Sequence, residues 1–238
     1  MGSDPAMGTR VQVGIPWREE PSRLEAFYRV RDWYESHGLE VVAAESPRHR
    51  NGPFNIAAAR NHLVRNLLTS DVMVLSDGDT LPQVEPLLEA LAGALADNLV
   101  HLPYHLYRDD TGVYTPGACS GVLVTTRDGW EATNGQDERF RGWGYEDSAW
   151  KLAHLTLSGP IMRHRGTVTA ATHSLAPRST LAANHALFRQ YQAAYGQVDR
   201  MTQLVNGAIV ALSPQNQRAA AAREANARRR FSSRPHGA

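Results

Sequence analysis

The sequence has little cysteine, little lysine and no long apolar run, and each shortage narrows what it can be. Cys119 is its only cysteine, which excludes an intrachain disulfide and any zinc site built from several thiolates. Lys151 is the only lysine among 25 basic residues, a bias that a codon preference for arginine explains without any need for phosphate binding. No stretch approaches the roughly 20 apolar residues needed to span a bilayer. The polar start Met1-Gly2-Ser3-Asp4-Pro5 lacks the basic-then-apolar order of a signal peptide. A cytoplasmic protein with no membrane span is the expectation.

What is present suits a globular fold. Hydrophobic residues at 42% and charged residues at 21% of 238 argue for one packed α/β domain rather than a disordered chain. Residues 1–9 read as a tag or disordered start, 10–212 as the domain, and 213–238 as an Ala/Arg-rich tail. That tail holds six arginines against Glu224, so the net charge of +1 hides a net-negative body. The tail is the only feature that hints at nucleic acid or another polyanion as a partner.

Periodicity sets the element order. Val11, Val13 and Ile15 alternate into Pro16 as a strand, and Pro21 opens a helix through His37 with Leu24, Phe27, Tyr28 and Tyr34 inward. Leu39 to Ala44 predicts a second strand. Ile56 to Leu68 predicts a helix with Leu63, Val64, Leu67 and Leu68 near one face, and Val72 to Leu75 a buried third strand. This βαβαβ order favours a parallel sheet. Leu87, Leu88, Leu91 and Leu95 mark another helix, Val100 to His105 a strand, and Asp109 to Gly112 a turn. Gly121 to Thr125 reads as a strand, 134–145 as a glycine-rich loop, Glu146 to Leu157 as a helix, Met162 to Thr172 as a strand and Leu187 to Leu212 as a last helix.

The third strand runs directly into Asp77-Gly78-Asp79-Thr80. Open α/β sheets bind ligands beyond the carboxyl ends of their strands. Two carboxylates there suit Mg²⁺ or Mn²⁺ shared with the phosphates of a diphosphate. An isolated Asp-x-Asp is also a common solvated turn, so the flanking strand carries the argument. Asn55 to Asn61 places Arg60 and two amides at the start of a helix, where phosphate or a base can be recognised or where the residues simply cap a surface helix. Glu146 and Asp147 are acids at a helix start; alone they complement the helix dipole, and beside a glycine-rich loop they can hold a reacting hydroxyl.

Together these motifs resemble the GT-A glycosyltransferases, which pair an Ala-Arg-Asn helix with an aspartate pair after a strand; the spacing from Asn61 to Asp77 is similar. Arg141-Gly142-Trp143-Gly144-Tyr145-Glu146-Asp147 resembles the Trp-Gly-x-Glu-Asp motif of the β-1,4-galactosyltransferase and polypeptide N-acetylgalactosaminyltransferase-like families. The resemblance implies a Rossmann-like, mostly parallel central sheet flanked by helices, with a C-terminal helical segment. Its nucleotide-binding half would be about 10–105 and its acceptor half about 106–212. It implies a metal-dependent, inverting transferase that uses a UDP-linked sugar. Asp147 would be the base and Glu146 would position substrate. Asp77, Asp79 and His173, with His164 as a weaker rival, would hold Mn²⁺ or Mg²⁺. Pro16, Arg18, Asn55, Arg60 and Asp77 would meet the nucleotide, and Gly121, Trp143, Gly144 and Tyr145 the sugars.

Tyr145 departs from the glycine frequent in these families, and Gly117-Ala118-Cys119-Ser120-Gly121 interrupts their double glycine, so the donor sugar is left open. The acceptor is open among saccharide, protein, small metabolite and modified nucleic-acid base. Three rivals differ in class. A haloacid-dehalogenase-like phosphatase requires Asp-x-Asp-Gly-Thr, whereas here the glycine stands between the acids. A sugar-phosphate nucleotidyltransferase requires a glycine-rich first loop that 11–18 lacks. A carbohydrate- or nucleic-acid-binding module leaves the Asp77/Asp79 pair without a task.

Overall fold

The computed structural model describes residues 9–49, 52–116, 119–142, 144–171 and 180–211, with side chains described as far as 208. The central sheet has the order β2-β1-β3-β8-β5-β9. Its strands are β1 (Val11–Pro16), β2 (Glu40–Ala44), β3 (Val72–Ser76), β5 (Val100–Leu102), β8 (Val122–Thr126) and β9 (Ile161–Arg163). β1 pairs in parallel with β2 and β3, and β5 in parallel with β9. β8 runs antiparallel between β3 and β5. The first half therefore has the parallel order read from the sequence, and β8 alone runs against the other five strands, so the sheet is mostly parallel as expected.

Helices flank the sheet: α1 (Leu24–Ser36), α2 (Ile56–His62), α3 (Val84–Asp97) and α4 (Arg127–Glu131). A 3₁₀ turn, Pro21–Arg23, precedes α1, so the proline starts a tighter turn before the helix proper. Tyr28 is exposed while Phe27, Val30 and Tyr34 are buried, which moves the inward stripe by one position. On α3, Leu88 and Leu95 face out, and Leu87, Ala90 and Ala94 form the buried face; small alanines there let the helix approach the sheet closely.

After α2 the chain loosens into a π-helical turn, Leu63–Leu67. One extra residue per turn rotates the following side chains. Leu63, Val64 and Leu68 stay in the core and Leu67 turns outward, against the sequence expectation.

A second sheet, of order β4-β10-β6-β7, was not foreseen. It joins β4 (Thr80–Leu81), β6 (Leu106–Asp109), β7 (Gly112–Tyr114) and β10 (Thr167–Ala170). The stretch read as one strand through Met162 to Thr172 is split between the two sheets as β9 and β10. The expected strand from Val100 is likewise cut at Leu102, with Leu106 starting β6. The predicted turn at Asp109 to Gly112 joins β6 and β7 as a hairpin.

The final helical stretch is two helices, α6 (Leu181–Ala194) and α7 (Val198–Ala211), broken near Gly196, whose φ is +74°. They pack with α5 (Glu146–Leu157) around Phe140, Ala149, Ala153, Tyr191, Met201 and Val205. The main core lies on the central sheet, around Ile15, Leu63, Val74, Leu102, Val124, Trp130 and Trp150. No helix among the described residues is long and apolar enough to cross a membrane.

Asn61 fixes the loop after α4 to α2. Its Oδ1 accepts from Trp130 Nε1 at 3.2 Å and from the Gln136 N–H at 3.0 Å, and its Nδ2 donates to Gln136 O at 2.7 Å. Gly135 sits against this network with φ +69°, and a Cβ there would lie 2.2 Å from Asn61 Oδ1. Gly135→Ala is therefore expected to destabilise the fold by about 2–3 kcal/mol. Gly207→Ala, inside α7 with no neighbour within 4 Å of the added methyl, should stabilise by about 0.5–1 kcal/mol. Urea unfolding of the two variants checks the contrast.

Candidate active site

β3 ends in the acid turn. Asp77 N–H donates to Gly121 O at 2.7 Å, and the Gly121 N–H donates back to Asp77 Oδ2 at 3.2 Å. Gly121 takes φ +86° and packs against Tyr107, so a side chain at this position would be strained and would crowd the tyrosine. Gly78 lies beneath the Trp17 ring, 3.1 Å from where its Cβ would stand, and Trp17 stacks on Phe27 at 4.2 Å. The glycine between the acids is thus needed for the end of β1 to close over the turn. Asp79 accepts from Arg23 Nη2 at 2.8 Å, and its carbonyl accepts from Ala171 N–H at 2.8 Å.

Arg60, on α2, is 2% exposed and joins the acid turn to the other end of the site. Its Nη2 donates to Asp77 Oδ1 at 2.6 Å and its Nη1 to Asp147 Oδ1, also at 2.6 Å. Gln136 completes the arrangement: its Oε1 accepts from Arg60 Nη1 and its Nε2 donates to Asp147 Oδ1, each at 3.2 Å. Burial works against the guanidinium charge, but Asp77, Asp147 and Glu146 outweigh it and raise its pKa. Arg60 stays cationic at every relevant pH.

Glu146 and Asp147 occupy the first turn of α5, after three residues with positive φ: Gly142 at +62°, Gly144 at +102° and Tyr145 at +74°. The two glycines face α6 closely, and a Cβ on Gly142 would stand 2.8 Å from Thr180 Oγ1. Asn184 on α6 holds this loop, accepting from Arg141 N–H at 3.1 Å and donating to Arg141 O at 2.8 Å and Gly144 O at 3.1 Å. Tyr145 stacks on Phe188 at 5.1 Å, so α6 engages its ring. Trp143 and His173 lie outside the described residues, as does the tail from 213.

The residues expected at the nucleotide line the ends of β1 and α2. Pro16 is buried at the end of β1. Arg18 donates to Glu45, to Gly52 O at 2.7 Å and to His49 O at 2.8 Å, with its guanidinium over the Phe54 ring. Asn55 caps α2 by accepting from Ala58 N–H at 2.9 Å and donates to Glu138 O at 2.9 Å. The polar groups of Arg18 and Asn55 hold the loop after β2 and the helix start. His164 pairs with His101 at 2.9 Å and Glu89 at 3.2 Å.

The acids crowd one another. Burial pushes Asp77 up to about 6, opposed by Arg60 and reinforced by Asp79 and Asp147. Burial and then Asp147 push Glu146 up to about 8, and its Oε2 is buried with no hydrogen-bond partner. This surplus of carboxylate fits a divalent cation. Among the described residues no group of three ligating side chains is present; Asp77 and Asp79 offer the one or two carboxylates with which a magnesium- or manganese-type ion is held when water and phosphate supply its other ligands.

Glu146 binds its proton more tightly folded than unfolded. Its contribution to stability is complete below its ordinary value of 4.5 and is lost as pH rises toward about 8. In chelator, Glu146→Gln should raise the melting temperature more at pH 8 than at pH 5, as thermal unfolding at both values will show.

Four supporting residues were not foreseen: Arg23, Gln136, Asn184 and Glu138. Glu138 is fully buried; burial raises its pKa, yet hydrogen bonds from His49 and Asn61 and the charge of Arg48 hold it lower. Each acts through a partner distant in sequence, and no local pattern marks them.

Residues 108–173 match the family model for the N-terminal domain of galactosyltransferase. A comparison with curated proteins returns no match. Among solved structures, Drosophila β-1,4-galactosyltransferase 7, bound to manganese, UDP-Gal and xylobiose, superposes with a TM-score of 0.50 at 16% identity, covering 65% of this chain and 64% of that one. GalNAc-T7 with UDP, GalNAc and Mn²⁺ gives 0.50 at 10% identity, over 84% of this chain and 55% of that chain. This chain thus spans less than two thirds of the length of either. These superpositions show that the chain has the GT-A glycosyltransferase fold.

Proposed function

We propose that this protein is a metal-dependent glycosyltransferase that moves a sugar from a UDP-linked donor to an acceptor hydroxyl with inversion at the anomeric carbon. The observation that carries the reading is the convergence of Asp77 and Asp147, 70 positions apart in the sequence, on one buried guanidinium. The structural neighbours bind manganese with UDP or UDP-Gal, in line with that donor class.

Asp79, with Asp77 and His173, would hold Mn²⁺ or Mg²⁺, and Asp77 would also meet the ribose. The ion, when bound, offsets the charge gained by the departing diphosphate. Pro16, Arg18 and Asn55 form the nucleotide wall. Gly121 lets the donor sugar lie against the backbone, while Trp143, Gly144 and Tyr145 border the sugars. Asp147 accepts the proton of the acceptor hydroxyl as its oxygen bonds to the anomeric carbon and the bond to the diphosphate breaks. Glu146 positions the substrate. One carboxylate on the acceptor side suffices for a single displacement, which inverts the centre.

A nucleotidyltransferase, whose nucleophile is a phosphate oxygen, gives Asp147 no proton to take, and the solved neighbours are transferases rather than phosphatases or binding modules. The test is a panel of nucleotide sugars incubated with Mn²⁺, Mg²⁺ or chelator, following hydrolysis and binding. Metal-dependent binding of one UDP-sugar supports the reading and names the donor; absence of any metal-dependent nucleotide-sugar binding sinks it.

A further inference from the structure

We infer that Arg60 is a positioning residue that sets both the orientation of the base and its distance from the metal-side carboxylate, with Gln136 as its partner. The inference rests on the glycosyltransferase reading and gives Arg60 a task other than the nucleotide contact expected from sequence.

A guanidinium is a rigid planar fork. With Asp77 on Nη2 and Asp147 on Nη1, both at 2.6 Å, the separation of these carboxylates is fixed by the covalent geometry of one side chain. The side chain is 2% exposed, so it has no freedom to swing away. At Asp147 the two donors, Arg60 Nη1 and Gln136 Nε2, both take Oδ1. No hydrogen bond within the described residues reaches Oδ2, which leaves Oδ2 as the atom that receives the acceptor proton. At Asp77, Oδ1 is held by Arg60 and Oδ2 by the Gly121 N–H, so the metal-side carboxylate is fixed at both oxygens. Lysine cannot reproduce this: a single ammonium is a point donor and cannot hold two carboxylates at a set spacing. A displaced base costs turnover, since about 1 Å of misplacement lowers the rate by about 10²-fold.

The experiment compares native protein, Arg60→Lys and Gln136→Leu, measuring kcat and KM for the donor identified by the panel, Mn²⁺ and UDP affinity by calorimetry, and the folded fraction by near-ultraviolet circular dichroism. Arg60→Lys should lower kcat about 100-fold while KM for the donor moves less than about threefold. Gln136→Leu, which removes one donor at Asp147 and none at Asp77, should lower kcat about tenfold with Mn²⁺ and UDP affinity unchanged. Loss of kcat that merely follows the folded fraction in both variants overturns the inference, as does kcat within about twofold of native in both. If native protein turns over no UDP-sugar, the functional reading has failed and the inference falls with it; native turnover with unaffected variants removes the inference alone.

Discussion

Asp147→Asn is expected to lower sugar transfer by about 10³-fold while donor binding stays within about twofold of native. The amide keeps the shape of the carboxylate, and its oxygen still accepts from Arg60 Nη1 and Gln136 Nε2, the two donors at Oδ1. What is lost is the ability to take a proton. Arg60 retains Asp77 as an ionic partner, so the buried cation is not left without an anion. Initial rates with saturating donor, together with calorimetric titration of UDP in Mn²⁺, measure the two halves. Residual transfer above a tenth of native would show that the proton goes elsewhere. Loss of UDP binding in parallel would place Asp147 on the donor side and reassign the base.

Asp79→Ala should act on the opposite half of the reaction. Its carboxylate is 10% exposed and faces Arg23, and the alternative ligand Asp77 is already held at both oxygens. Removing this carboxylate, the second acid of the proposed metal pair, is expected to weaken Mn²⁺-dependent UDP binding by about 100-fold. Binding of UDP in chelator should be the same in both proteins. The turn should survive, because Asp79 is tied to Ala171 through its backbone carbonyl. Manganese titration followed by the paramagnetic signal of the free ion gives the affinity directly. An unchanged manganese affinity would remove Asp79 from the ligand set.

Much of this was legible in the residues, for identifiable reasons. The first βαβαβ segment was readable because its strands are apolar and its helices amphipathic, so periodicity and burial agree. Asp77 and Asp79 stood out because they follow directly on a buried strand, where open α/β sheets bind ligands; their ties to Arg60, Gly121 and Arg23 could not be read. The second sheet was not readable: its strands are two to four residues long, and β4 and β10 pair across the acid turn. Pairings of that length are set by tertiary position, not by alternation. Arg60 stood out as a cation at a helix start, yet its partners could not be read. The π-helical turn after α2, which moves Leu67 outward, leaves no composition signal either. Gln136 and Asn184 are single amides in a loop and a helix, and only the folded chain shows what they hold.

The hold of Asn184 on the Arg141–Gly144 loop bears on how short a working version of this chain can be. The galactosyltransferase-like match stops at residue 173, which invites a fragment cut soon after β10. Such a fragment would carry every acid of the site but not the amide that binds Arg141 and Gly144, nor Phe188, on which Tyr145 stacks. The three left-handed residues leading into α5 would lose their outer support, and the apolar face of α5 that packs on Tyr191 and Met201 would meet water. Shortening for expression or crystallisation therefore has its limit beyond α7, and proteolysis that removes both α6 and α7 should abolish the proposed sugar transfer before it melts the sheet.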